Sequence, residues 1–146
     1  MVFVANEYAT ASAIQLTGAD GAVESEVVWQ WDEYLPDVAS PIGSAEHFYL
    51  ATSMGDVVCL DRQSGEVAWL QEFEEGFYSS PILVGDRIYV LDREGTMWIL
   101  RTGAAYDLIA SPKLHEPTFA TPAYLDARIY VRTERHLLCI EADDGH

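Results

Sequence analysis

Ser80-Pro81-Ile82-Leu83-Val84-Gly85-Asp86-Arg87-Ile88-Tyr89-Val90-Leu91-Asp92, continued by Arg93-Glu94-Gly95-Thr96-Met97-Trp98-Ile99-Leu100-Arg101, decides the fold of this chain. It consists of short apolar runs broken by Gly, Asp and charge. None is long enough for a 3.6-residue helical period, so each reads as a strand. The same order of residues stands 40 positions earlier. Ser40-Pro41 matches Ser80-Pro81, Phe48-Tyr49-Leu50 matches Ile88-Tyr89-Val90, and Val57-Val58-Cys59-Leu60-Asp61 matches Met97 to Arg101. A third copy follows after 41 residues, with Thr121-Pro122, Ile129-Tyr130-Val131 and Leu137-Leu138-Cys139-Ile140-Glu141. Two independent columns, proline and tyrosine, keep step over three copies. Gly65-Glu66-Val67-Ala68-Trp69 adds a fourth segment, so one unit holds four strands, here A to D. Four strands per 40 residues is the period of a β-propeller blade, a unit that buries its faces only against its neighbours.

The turns agree with this reading. Met54-Gly55-Asp56 and Glu94-Gly95-Thr96 join B to C, and glycine supplies the positive φ of a tight hairpin. The third copy has Arg135-His136 there and is one residue shorter, so it must turn differently. Gln63-Ser64-Gly65 joins C to D, and Asp143-Asp144-Gly145 occupies that place in the last copy. At the N-terminus Val2-Phe3-Val4, Ala13-Ile14-Gln15-Leu16 and Val27-Val28-Trp29 match B, C and D, with Trp29 placed 40 residues before Trp69. The expected architecture is all-β, a propeller segment of three to four four-stranded antiparallel blades in one domain, 1–146. The first blade is incomplete over 2–31, the second spans 38–72, the third 77–113, and the fourth is incomplete over 118–145.

These residues resemble the pyrroloquinoline-quinone-like propeller repeat family. Its repeat runs as a strand, Gly-x-x-Tyr-Val, Gly, an apolar run, Asp, then Gly-x-x-x-Trp. Here that pattern stands as Gly85 to Asp92, Gly55 to Asp61 and Gly65 to Trp69. The family includes quinoprotein dehydrogenases and the propeller lipoprotein of the outer-membrane β-barrel assembly machine. The family is usually exported, to the periplasm or the cell surface, and the resemblance implies a non-catalytic scaffold or binding module for protein partners. A fragment of a quinone-dependent oxidoreductase and a carbohydrate-binding propeller are the alternatives. Enzymes of the family hold the quinone with a vicinal Cys-Cys ring and a calcium ion. This chain has no Cys-Cys pair, so no catalytic, cofactor-binding or metal-binding residue is carried over, and no cofactor is expected.

Composition narrows the partners. The 146 residues are 49% hydrophobic, enough for a real core, and carry 24 acids against eight bases, a net charge of −16. Lys113 is the only lysine. Such a balance repels nucleic acid and anionic membrane. It suits cationic partners or Ca²⁺, and its plainest reading is a solvated acidic surface that serves solubility. No run of about 18 apolar residues is present to span a membrane. The first residues lack a basic segment followed by an apolar one, and with incomplete end units this reads as part of a larger propeller. The expected assembly is self-association, two copies completing a ring, or pairing with the remainder of a parent propeller.

Individual residues carry weaker signals. Cys59 and Cys139 share a strand C column two units apart, beyond the reach of a disulfide, and read as small buried hydrophobes. His47, His115, His136 and His146 show no metal-ligand spacing and read as loop or edge residues. Asp92 to Trp98 resembles the acidic loops of other propellers, with a spacing one residue too long. Trp29 and Trp69 share the D column, where the family packs tryptophan between blades. Trp31 is left as partly exposed. Glu72, Glu74 and Glu75 surround Phe73 on the connection from D to the next A. Trp31, Glu72, Glu74 and Glu75 form the candidate interaction surface.

Overall fold

Each tight turn closes an antiparallel pair, and the result is four small sheets in sequence order. The computed structural model describes residues 1–18 and 22–141; Asp143-Asp144-Gly145 and His146 lie outside them. The first sheet is β1 (Val2–Val4), β2 (Ala11–Thr17) and β3 (Glu24–Trp31). The second is β4 (Ile42–Gly43), β5 (His47–Ala51), β6 (Asp56–Asp61) and β7 (Val67–Glu72). The third is β8 (Ile82–Val84), β9 (Arg87–Leu91), β10 (Met97–Arg101) and β11 (Leu108–Ala110). The fourth is β12 (Ala123–Leu125), β13 (Arg128–Arg132) and β14 (Leu137–Glu141). There is no helix among the described residues. This is an all-β partial propeller, with blades numbered one to four in chain order.

The sequence columns are structural columns. Tyr49 pairs with Cys59, Tyr89 with Ile99 and Tyr130 with Cys139 across the B–C ladder. Phe3 is the equivalent residue of blade 1, opposite Ala13. A β-bulge recurs at one place in the C–D ladder of three blades, after Ala13, Cys59 and Ile99. Opposite those residues stand Trp29, Trp69 and Ala110. Bulges increase local twist and re-aim a side chain. Here they stand beside the column that reaches the next blade.

Two sets of hydrogen bonds tie blade to blade. The Ser/Thr-Pro column forms a ladder: Ser40 N–H donates to Ser80 Oγ at 2.9 Å, and Ser80 N–H to Thr121 Oγ1 at 3.0 Å. A proline after each of these residues holds it extended. The second set comes from the D-strand tryptophans. Trp29 Nε1 donates to Arg62 O and Trp69 Nε1 to Gly103 O, both at 3.0 Å. Each acceptor lies in the C–D turn of the following blade. The Trp29 ring lies so close over Gly65 (φ 76°) that a Cβ there would come within 2.6 Å of it. Tyr49 adds a third link, its hydroxyl accepting from Gly103 N–H at 3.1 Å.

Between the sheets lie three apolar clusters. Leu50, Val58 and Leu60 meet Phe3, Trp29 and Trp31 between blades 1 and 2. Tyr49, Cys59, Trp69 and Phe77 meet Ile88, Val90 and Leu100 between blades 2 and 3. Tyr89, Leu91 and Met97 meet Ile129 and Val131 between blades 3 and 4. The outer faces of the end blades stay open: Val2, Val4, Leu16 and Val27 of blade 1 are each more than 40% exposed, and Cys139 of blade 4 is exposed.

Two readings of single residues are corrected. Cys139 is exposed, although Cys59 in the same column is fully buried. That column faces the following blade. Blade 3 covers Cys59, and no following blade covers Cys139 among the described residues. His47 is not a loop or edge residue; it opens β5, an inner strand of its sheet, 6% exposed and on the same side of the strand as Tyr49. The short B–C hairpin of blade 4 does turn differently. Thr133 N–H donates to His136 O and His136 N–H to Thr133 Oγ1, around a two-residue loop without positive φ.

Three outcomes follow from this packing. Trp69→Ala removes a buried ring and its hydrogen bond, and should cost about 3–5 kcal/mol in urea unfolding. Asp126 and Ala127 form the β12–β13 turn with φ of 50° and 62°. Ala127→Gly relieves the left-handed strain at an exposed site and should stabilise by about 0.5–1 kcal/mol in the same assay. Burial pushes the Cys59 thiol up to about 12, so a disulfide reagent at neutral pH should titrate one thiol, Cys139, in the native protein and two after denaturation.

Candidate functional site

A cleft lies at the end of the sheets where the B–C hairpins and D–A connections cluster. β7 ends at Glu72, and the chain turns through Phe73, Glu74 and Glu75 towards blade 3. Phe73 N–H donates to Gly55 O at 2.8 Å, fastening this connection across the B–C hairpin of its own blade. Gly55 has φ 107°, and a Cβ there would stand 2.5 Å from Phe73 O. The fastening recurs one blade on, where Leu114 N–H donates to Gly95 O at 2.8 Å. The two straps and the hairpin of blade 3 bound a cleft of about 580 Å³.

Its floor is aromatic. Phe73 and Trp98 lie 4.7 Å apart between ring centroids, and Phe73 meets Phe77 edge-on at 5.4 Å. Tyr106 closes one side and packs edge-on against Trp69 at 5.6 Å; burial raises its phenol above the ordinary value. Trp98 is held by its own hairpin, since Nε1 donates to Asp92 Oδ2 at 3.0 Å while Asp92 Oδ1 accepts from Thr96 N–H at 2.8 Å. Asp92 is therefore a buried brace, 2% exposed.

The rim is acidic. Five carboxylates and one lysine, Lys113, line the cleft. Glu75 is partly neutralised by Arg93, 3.5 Å away, whose guanidinium also lies over the Tyr78 ring at 5.4 Å. Glu72, Glu74 and Glu94 have no ion pair among the described residues. A negative rim over aromatic faces attracts cations through both charge and ring quadrupole. No group of three or more potential metal ligands occurs among the described residues.

The expected surface is thus divided. Glu72, Glu74 and Glu75 meet in this cleft. Trp31 does not join them; it ends β3 one blade earlier, half-buried against Leu50, Val58 and Leu60. Trp98 and Tyr106 belong to the cleft; the sequence marks Trp98 only as the end of the acidic-loop-like stretch from Asp92, and Tyr106 not at all. Trp98 sits in a short apolar strand, which points to core packing. Tyr106 lies in a C–D turn that carries no motif.

Comparison with known proteins agrees with the geometry. The family model described as outer membrane protein assembly factor BamB matches residues 7–106. Among solved structures, BamB from Moraxella catarrhalis superposes with a TM-score of 0.60 at 16% identity, over 94% of this chain and 46% of that one. A europium-containing methanol dehydrogenase aligns at 12% identity and a TM-score of 0.48, over 77% of this chain and 26% of that one. The chain therefore spans less than half the length of these structures. No curated protein matches it. The first likeness shows the fold, and the family model covers most of the chain: by that match, this repeat protein belongs to the outer membrane protein assembly factor BamB family of PQQ-like propellers.

Proposed function

We propose that this chain is a non-catalytic binding module whose cleft between blades 2 and 3 receives a cationic segment of a protein partner. The observation that carries the reading is the pairing of unpartnered carboxylates, Glu72, Glu74 and Glu94, with the Phe73–Trp98 floor in one cleft. Its volume falls within the range of ligand sites, about 300–1,000 Å³. Arginine and lysine side chains suit it, since their stems pack on rings while their charges meet the rim. The net charge of −16 steers such partners from a distance. The name of the matched family, an assembly factor of outer membrane proteins, favours protein partners and an exported setting.

The open faces of blades 1 and 4 support a second part of the proposal. Apolar sheet faces and free strand edges associate. A second copy placed by a two-fold axis would cover Val2, Val4 and Val27 of one chain with the Tyr130–Cys139 face of the other, closing a ring of eight sheets. Sedimentation at micromolar concentration should show a dimer, and an ordered monomer would rule this out.

For the cleft, calorimetric titration with an arginine- and lysine-rich peptide should give saturable binding that weakens as salt screens the rim. Paired Glu72→Gln and Glu74→Gln substitutions should lower the affinity about tenfold, with the fold intact because both side chains are exposed. Unchanged affinity in that variant, or tight stoichiometric uptake of pyrroloquinoline quinone with Ca²⁺, would refute the reading.

A further inference from the structure

The opposite end of the same blade interface holds a second pocket, of about 310 Å³, lined by Ser44, Glu46, His47, Asp86, Thr102 and Gly103 among others. It lies where the A–B turns of blades 2 and 3 meet the C–D turn of blade 3. Its distinguishing feature is His47. The residue is 6% exposed, and its backbone is bonded to Ser44, yet its ring makes no hydrogen bond among the described residues. Its ring nitrogens are not among the fully buried unpaired side-chain atoms, so they are open to the pocket. The same column differs in the next two blades. Arg87 and Arg128 hold the equivalent positions in the next two blades, and each has a carboxylate partner, Asp86 at 4.0 Å and Glu141 at 3.0 Å. His47 shares a side of β5 with Tyr49, whose hydroxyl reaches Gly103 at the pocket wall. The ring therefore points at the pocket.

The surroundings choose the ligand. Asp61 lies opposite His47 on β6, and its carboxyl is engaged by the N–H groups of Gln63 and Ser64 at 2.9 and 2.8 Å. Asp86 is engaged by Arg101 at 2.7 Å. Glu46 has no ion pair, and the Thr102 hydroxyl no hydrogen bond, among the described residues. An anion would meet two carboxylates at the pocket wall, Glu46 and Asp86, so anions are disfavoured. What stays unpaired at the pocket wall is the Glu46 carboxylate, the His47 ring and the Thr102 hydroxyl. A primary ammonium group carries three N–H donors and no acceptor. We propose that the His47 pocket is a binding site for a primary ammonium group, carried by a small amine or by a lysine side chain. This site is separate from the aromatic cleft and does not depend on the function assigned to it.

The test is an NMR titration of the full chain at pH 7.5 with n-butylammonium chloride, following the His47 ring and the Glu46 and Thr102 amides. Saturable shifts at these three residues are expected. Tetramethylammonium, which has no N–H, should give none. Glu46→Gln, an exposed change that spares the fold, and His47→Phe, which keeps the ring, should each weaken binding at least about tenfold. A blocked Gly-Lys-Gly peptide that binds more tightly than the free amine assigns the source to a lysine side chain; equal binding assigns it to a small amine. No saturable shift, an equal response to tetramethylammonium, or full affinity in Glu46→Gln would overturn the proposal.

Discussion

A sheet with two apolar faces cannot stand alone in water, and every other feature of this molecule depends on that constraint. Each middle blade here buries one face against the blade before it and one against the blade after it. Tyr49 is where the demand is met most completely. Its ring lies against Trp69 in its own blade, its edge enters the apolar cluster shared with blade 3, and its hydroxyl finds Gly103. Burial without that hydrogen bond would leave a phenol unsatisfied, and the hydrogen bond without burial would contribute little.

Directional bonds then convert stacking into a defined geometry. Apolar faces tolerate sliding, but a hydroxyl ladder between Ser40, Ser80 and Thr121 does not. The tryptophans Trp29 and Trp69 fasten the other edge of the stack to the next C–D turn. With both edges held, the crevices between blades become fixed clefts. Blade 3 carries Ala110 in the tryptophan column, so its junction with blade 4 keeps the Ser80–Thr121 bond and the apolar cluster around Tyr89, Leu91 and Val131 without a tryptophan link.

The two ends of the blade 2–3 crevice have different chemistry because different turns supply them. The D–A straps and B–C hairpins bring aromatic rings beneath free glutamates. The A–B and C–D turns bring hydroxyls, carboxylates and one buried imidazole. Both ends are acidic, as a chain of net charge −16 requires of most of its surface. The acidic surface is therefore no guide to a site by itself, and what sets the two clefts apart is the neutral chemistry at their floors.

The repeat is legible in the residues alone. Columns of Pro, Tyr, Gly and Trp mark out the strands and their order, because strand period and turn chemistry are local. β11 is the exception, since Ala110 stands where the other D strands carry tryptophan. Glu72, Glu74 and Glu75 are legible too, since a run of acids around Phe73 is visible as a run. What the columns face is a matter of tertiary packing. Cys59 and Cys139 are the same residue type in the same column, and one is buried while the other is exposed, because burial belongs to the neighbouring blade. Trp31 and the three glutamates lie near blade ends in the sequence pattern, yet they fall on different blade junctions. Trp98, Tyr106 and His47 become site residues for the same reason: a pocket between blades is lined by residues far apart in the chain, and no local pattern records which of them will meet.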